Sequence, residues 1–193
     1  MQEVTLVIYH GDCVDGFTAA WAAWRKWPTA RFVAARYGEP PPGWRVDDHV
    51  LIVDFSYPRD VLEALRNRVA SLRVFDHHKT AEADLAGLDY CIFDMERSGA
   101  GITWDCLAQD DEQLWRSRGG TGSRVRPWLV DYVEDRDLWR FAWPDSRQVN
   151  AYLRSQEQTF ERWERLYCET LGEAIVRGQG CLDHIAMPTC VRW

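Results

Sequence analysis

Short apolar runs that stop abruptly at an acid or an imidazole recur along the first half of this chain. Val4 to Tyr9 leads into His10-Gly11-Asp12-Cys13-Val14-Asp15-Gly16, and Val50 to Val53 ends at Asp54. Leu72 to Phe75 ends at Asp76-His77-His78, and Tyr90 to Phe93 ends at Asp94. Runs this short, continuous in apolar character and rich in β-branched residues read as strands buried on both faces.

Between them lie stretches of helical character. The Ala/Trp-rich segment Phe17 to Trp27 is closed by Pro28, and Ala30 to Tyr37 reads as a further strand. Ser56-Tyr57-Pro58 supplies a cap and an early helix proline for Arg59 to Ala70. Ser98 to Leu107 and Pro127 to Glu134 read as helices, and Glu157 to Val176 as one longer charged amphipathic helix. Alternation of this kind predicts an α/β fold with a mostly parallel β-sheet flanked by helices. The expected division is a catalytic domain over residues 1–143 and a helical C-terminal extension over 144–193. The glycines between Arg116 and Arg126 follow no strand, so they read as a connector and not as a phosphate cradle.

Charge and cysteine usage narrow the function classes. A formal net charge of −7 excludes broad attraction to a polyanion, so a phosphate substrate would need local cations. Six dispersed cysteines without a C-x-x-C pair argue against a zinc ribbon or a disulfide-framed module. The first apolar run is too short for a signal peptide and no stretch approaches a membrane span, so a cytoplasmic location is expected.

In open parallel sheets functional groups collect beyond the carboxyl ends of the strands. His10, Asp12, Asp15, Asp54, Asp76, His77 and His78 are therefore expected to converge. Several carboxylates in one crevice repel one another unless cations intervene, and mixed oxygen and imidazole donors suit Mn²⁺ or Mg²⁺. Two ions roughly 3.5 to 4 Å apart can orient an attacking hydroxide and stabilise a leaving oxygen. A lone strand-end aspartate such as Asp12, Asp54 or Asp94 is ordinarily a cap or turn residue. The paired His77-His78 resists that reading, because two imidazoles at a core edge need partners. Further along, Asp131 and Asp135 share a helical face and Asp137 does not, so spacing alone leaves the contributing acid open.

His10-x-Asp12-x-x-Asp15-Gly16, Ile52-Val53-Asp54, Asp76-His77-His78 and Asp131 to Asp137, in this order, resemble the four motifs of the DHH phosphoesterase superfamily. The resemblance covers residues 4 to 140 and implies a Rossmann-like domain with two Mn²⁺ or Mg²⁺ ions. It implies that His10 and Asp12 hold one metal, that Asp15, His77 and Asp135 hold the other, and that Asp54 bridges them. His78 would contact the substrate phosphate and Asp76 would orient from behind. Catalysis would thus centre on Asp54, His77 and His78. The chain departs from the family in placing Cys13 and Val14 between Asp12 and Asp15, where many relatives have D-x-D. It also lacks an obvious equivalent of the C-terminal substrate domain.

The expected activity is hydrolysis of a phosphodiester in a short oligonucleotide or (di)nucleotide by a metal-activated hydroxide, the expected partner being a nucleotide or short single-stranded nucleic acid. The alternatives are a pyrophosphatase or polyphosphatase, or a metal-dependent nucleotide-binding module without turnover. Lys79, directly after His78, and Arg136 are the favoured candidates for substrate contact, beside Arg36, Arg97 and Arg140. Cys13 reads as a small buried thiol, and Trp21, Trp24 and Trp104 read as packing residues. The charged helix of residues 157–176 either packs on the same domain or mediates a homodimer.

Overall fold

The computed structural model describes residues 3–108 and 126–186. The glycine-rich connector, Arg126 apart, lies outside the described residues. The strands are β1 (Leu6–His10), β2 (Arg31–Ala35), β3 (His49–Val53), β4 (Ser71–Asp76) and β5 (Cys91–Phe93). All pair in parallel, in the order β2-β1-β3-β4-β5. The helices among the described residues are α1 (Val14–Lys26), α2 (Arg59–Arg66), α3 (Lys79–Asp84), α4 (Gly99–Ala108), α5 (Trp128–Asp137), α6 (Ser146–Arg154), α7 (Phe160–Cys168) and α8 (Leu171–Ala186). The fold is α/β, a parallel sheet flanked by helices.

Alternating side chains of the central strands feed two cores. Val7, Leu51, Val53 and Phe75 pack toward α1, α4, α5 and the C-terminal helices. Leu6, Ile8, Val50, Ile52 and Val74 pack toward Leu62 and Leu65 of α2 and toward Leu85. Burial on both faces is why these strands are apolar without a polar alternation. From β1 the chain runs to one side of the sheet, and from β3 to the other. The strand order therefore reverses between β1 and β3, and a crevice opens beyond their carboxyl ends.

The C-terminal helices join the first of these cores. Trp163 of α7 is fully buried, packs edge-on against Phe17 at 4.9 Å and donates its indole N–H to Thr18 Oγ1 at 3.0 Å. Trp21 and Trp104 stack at 5.7 Å, and Trp24 stacks on Phe160 at 5.4 Å. These tryptophans are packing residues, as their helical spacing predicts.

One expected element divides. The single helix of residues 157–176 is two helices, α7 and α8, separated at Glu169-Thr170. Thr170 and Glu173 cap each other reciprocally: the Glu173 carboxylate accepts the Thr170 N–H at 2.8 Å, and Thr170 Oγ1 accepts the Glu173 N–H at 3.3 Å. That exchange satisfies donors that start a new helix. Among the described residues no helix is long and apolar enough to cross a membrane.

Candidate metal centre

β1 and β3 deliver His10 and Asp54 to the crevice, and β4 delivers Asp76 and His77 beside them. Asp54 follows β3 in a left-handed conformation, with φ 53°. That region is uncommon for a side chain other than glycine or asparagine-like residues, and it aims the carboxylate back over the sheet edge. His77 Nε2 lies 3.1 Å from Asp54 Oδ1, 3.5 Å from Asp137 Oδ2 and 3.8 Å from Asp15 Oδ2. On the other side, His10 Nδ1 lies 3.4 Å from Asp54 Oδ2.

Two glycines, Gly16 and Gly99, permit this convergence, since a β-carbon on either would collide with His10 or Asp54. A β-carbon on Gly16 would stand 2.3 Å from the carbonyl oxygen of His10, so α1 sits directly on the end of β1. The start of α4 closes over the same point. Asp15 accepts the N–H groups of Gly99 at 2.7 Å and Ala100 at 3.0 Å, so its carboxylate occupies a helix N-terminus. Behind it, Ser98 N–H donates to Glu134, which Arg126 grips with two bonds of 2.9 Å.

The electrostatics follow from burial. Desolvation, with the charges of Asp54 and Asp137, holds the Asp15 carboxyl well above the usual range. Desolvation and Asp54 likewise raise Asp137. Burial also pushes Asp54 upward, but the His10 and His77 imidazoles outweigh it and leave Asp54 depressed. Burial would lower His77, yet the hydrogen bond and charge of Asp54, helped by Asp137, raise it. The Cys13 thiol is pushed up to about 12 by burial and by Asp54.

Three sets of donor atoms lie close enough to share an ion: His10, Cys13 and Asp54; Asp54, His77 and His78; and Asp15, His77 and Asp137. Asp54 faces the first two sets, and His77 joins the second to the third. His10 Nδ1 and Asp54 Oδ2 are both buried without a hydrogen-bond partner. An orphaned carboxylate oxygen and an orphaned imidazole nitrogen, buried and facing each other, have the chemistry of a cation site. The donor set fits divalent metal.

Asp76 stands behind the cage. It is fully buried and accepts the Ser56 hydroxyl at 2.8 Å, the His77 N–H at 2.7 Å and His78 Nδ1 at 2.6 Å. This fixes the His78 ring, and the Asp76 hydrogen bond raises its pKa.

Two expected members lie elsewhere. Asp12 has φ 56°, its side chain is 74% exposed, and it is bound to Arg36 at 2.6 Å. The left-handed turn throws Asp12 outward and brings Cys13 toward His10 and Asp54 instead. Asp135 is buried, but its carboxylate accepts the N–H groups of Ala142 at 2.7 Å and Trp143 at 3.5 Å. The acid of α5 that reaches the cage is Asp137, two residues on and on the opposite helical face. Asp94 is a turn residue, bonded to Glu96 N–H and Arg97.

The candidate cations also separate. Arg36, Arg97 and Arg140 are neutralised by Asp12, by Asp94 with Asp105, and by Glu96. Lys79 is exposed at the start of α3. Arg136 forms no ion pair among the described residues, although the charge of neighbouring Asp137 acts on it. Its pKa is lowered by burial and by neighbouring Arg154.

No protein-family model matches the chain. The chain is 28% identical over 202 residues to a protein of Acanthamoeba polyphaga mimivirus named "Uncharacterized protein R106", a match that takes in 95% of this chain and 45% of that one. The chain thus spans less than half the length of that relative. A solved structure of an uncharacterized protein from Helicobacter pylori G27 is similar with a TM-score of 0.53 at 13% identity, over 95% of this chain and 71% of that one. This second likeness concerns the fold alone.

Proposed function

We propose that this chain is a divalent-metal-dependent phosphoesterase of the DHH type. One observation carries the reading: Asp54 at the switch point of the sheet turns one carboxylate oxygen toward His10 and the other toward His77, so a single acid faces two donor sets. His10 and Cys13 would hold one ion with Asp54. Asp15, His77 and Asp137 would hold the other, and Asp54 would be shared. Divalent ions held there would polarise a phosphoryl group and lower the pKa of an attacking water.

The chain's own residues supply position and charge. Asp76 fixes the His78 ring through Nδ1, leaving Nε2 to donate to a phosphate oxygen, and its raised pKa favours the protonated donor. Asp15, anchored by the α4 N-terminus, keeps its carboxylate at the cage without a flexible loop. No covalent enzyme intermediate is required.

The test is hydrolysis of a generic phosphodiester with Mn²⁺ by the full chain and by Asp54→Ala and His77→Ala. Each substitution is expected to lower the rate by about a hundredfold or more, since loss of even an outer-sphere partner costs on the order of ten- to a hundredfold. Undiminished rates in both variants would end the proposal.

A further inference from the structure

The N–H groups at the start of a helix have no partner within the helix itself. At the start of α4 side chains take all of them: Ser98 N–H goes to Glu134 Oε2 at 3.0 Å, those of Gly99 and Ala100 to Asp15, and that of Gly101 to Ser98 Oγ at 3.2 Å. In the usual reciprocal arrangement the third residue after the cap is a glutamate or glutamine that accepts the N–H of the cap. That position is Gly101, and the carboxylate comes instead from Glu134 of α5. A β-carbon at position 101 would overlap Glu134 Oε2 and Arg126 Nη2, so the glycine makes room for a pair that belongs to another part of the chain.

Ser98 and Glu134 are both buried, and a buried carboxylate is costly unless it is paired. Arg126 pairs it in bidentate fashion, Nη1 and Nη2 each donating to one Glu134 oxygen at 2.9 Å. The guanidinium is held in turn by Asp105 of α4 at 3.1 Å and Asp131 of α5 at 3.5 Å, so the clamp ties α4 to α5. Glu134 and Asp137 are three residues apart and share a face of α5. Seating Glu134 at Ser98 therefore turns Asp137, not Asp135, toward His77. The same contact fixes the N–H groups that hold Asp15, and it presses Gly99 onto Asp54.

We propose that Glu134, gripped by Arg126, is a positioning residue for the cage: it locks the start of α4 against α5 and thereby sets Asp15, Asp54 and Asp137 for a divalent ion that it does not itself touch. The inference rests on the reading of the cage as a divalent-metal site, and it is independent of what is hydrolysed there. The two members act as a unit. Without Arg126 a buried carboxylate is left unpaired, and without the Glu134 charge Arg126 has only Asp105 and Asp131 to hold it. Contacts that orient the ligands of a metal, without touching it, change its affinity by roughly ten- to a hundredfold.

The experiment is calorimetric titration of the full chain with Mn²⁺, at a temperature where circular dichroism shows each variant folded. Glu134→Gln keeps the shape and removes the charge, Arg126→Ala removes its partner, and each is expected to weaken Mn²⁺ binding roughly tenfold. The double variant is expected to lose no more than the worse of the two, because members of one network are not additive. Gly101→Ala displaces the pair without removing either charge, and it is expected to weaken binding in the same way. Val69→Ala, in the core on the other face of the sheet, is expected to lower the unfolding temperature and leave Mn²⁺ affinity unchanged. Cobalt-loaded Glu134→Gln is expected to show an altered visible ligand-field spectrum, although no ligand has been removed. Unchanged affinity and spectrum in Glu134→Gln, with unchanged affinity in Gly101→Ala, overturn the proposal. So does a loss of affinity in Val69→Ala equal to that in Glu134→Gln, which would make the clamp a matter of stability alone. Manganese-dependent hydrolysis of a small diester with metal binding unimpaired in the clamp variants removes the clamp and leaves the phosphoesterase reading standing. Metal binding weakened by Glu134→Gln in a chain that cleaves no phosphodiester upholds the clamp and removes that reading.

Discussion

Gly99 packs directly onto the Asp54 side chain: a β-carbon at position 99 would stand 2.3 Å from Asp54 Cβ. The start of α4 therefore fixes both the acid it touches and, through its N–H groups, Asp15. Gly99→Ala forces either α4 or Asp54 to shift, and overpacking of this kind costs about 1–3 kcal/mol. Urea denaturation should show that loss. Titration calorimetry with Mn²⁺ should show affinity reduced about tenfold or more, as when a ligand's support is disturbed. Unchanged affinity would mean that the helix does not position the carboxylate.

Asp135 and Asp137 should separate by phenotype. Asp137→Asn removes a carboxylate from the cage and is expected to weaken Mn²⁺ binding about tenfold or more. Asp135→Asn leaves that affinity near wild type but loosens the loop bearing Trp139 and Phe141, costing roughly 1–3 kcal/mol for the weakened buried bonds. Paired calorimetry and thermal unfolding distinguish the two. A metal defect in Asp135→Asn larger than in Asp137→Asn would reverse the assignment.

What could be read from the residues was set by how local their cause is. Strands buried on both faces leave continuous apolar runs, so β1, β3, β4 and the acids that end them are visible without a structure. The choice of Asp137 over Asp135 is not local. A helix fixes their relative angle, while only its packing against α4 and α6 decides which face meets the cage. Asp12 is turned outward by its own left-handed backbone, φ 56°, a local reversal that leaves Cys13 beside His10 and Asp54 and that residue spacing does not reveal. The division between α7 and α8 was legible in Thr170-Leu171-Gly172-Glu173, a reciprocal capping pattern inside an otherwise continuous helical stretch.

Metal binding should be pH-dependent in a defined direction. Asp15, Asp137 and His77 are all raised in the fold. They retain protons that the unfolded chain would release, so the metal-free protein loses stability as pH rises through those raised values. Asp54 is depressed and works oppositely, its contribution being lost only as pH falls below the ordinary carboxylate range. Divalent ions bound at these groups would replace the retained protons. The thermal shift produced by Mn²⁺ should therefore be larger at about pH 8 than at about pH 6, with protons released on binding. Equal shifts, or proton uptake, would place the bound ion elsewhere.

Cys13 distinguishes the two halves of the cage by donor type. Its sulfur lies with His10 and Asp54, while the set around Asp15 and Asp137 offers oxygen and imidazole only. A coordinating thiol gives up its proton to solvent despite the burial that otherwise keeps it protonated. Thiolate favours softer ions, so the His10 half should prefer Zn²⁺ or Co²⁺ over Mn²⁺, and the other half should not. Cobalt loading should then produce a sulfur-to-metal charge-transfer band in the near ultraviolet, absent in Cys13→Ser. Cys13→Asp should restore an all-oxygen and imidazole set and shift relative affinity toward Mn²⁺ by about tenfold or more. Two bound cobalt ions without that band would leave Cys13 as a packing thiol and give the His10 half only two protein donors, with the rest of its coordination left to water or substrate.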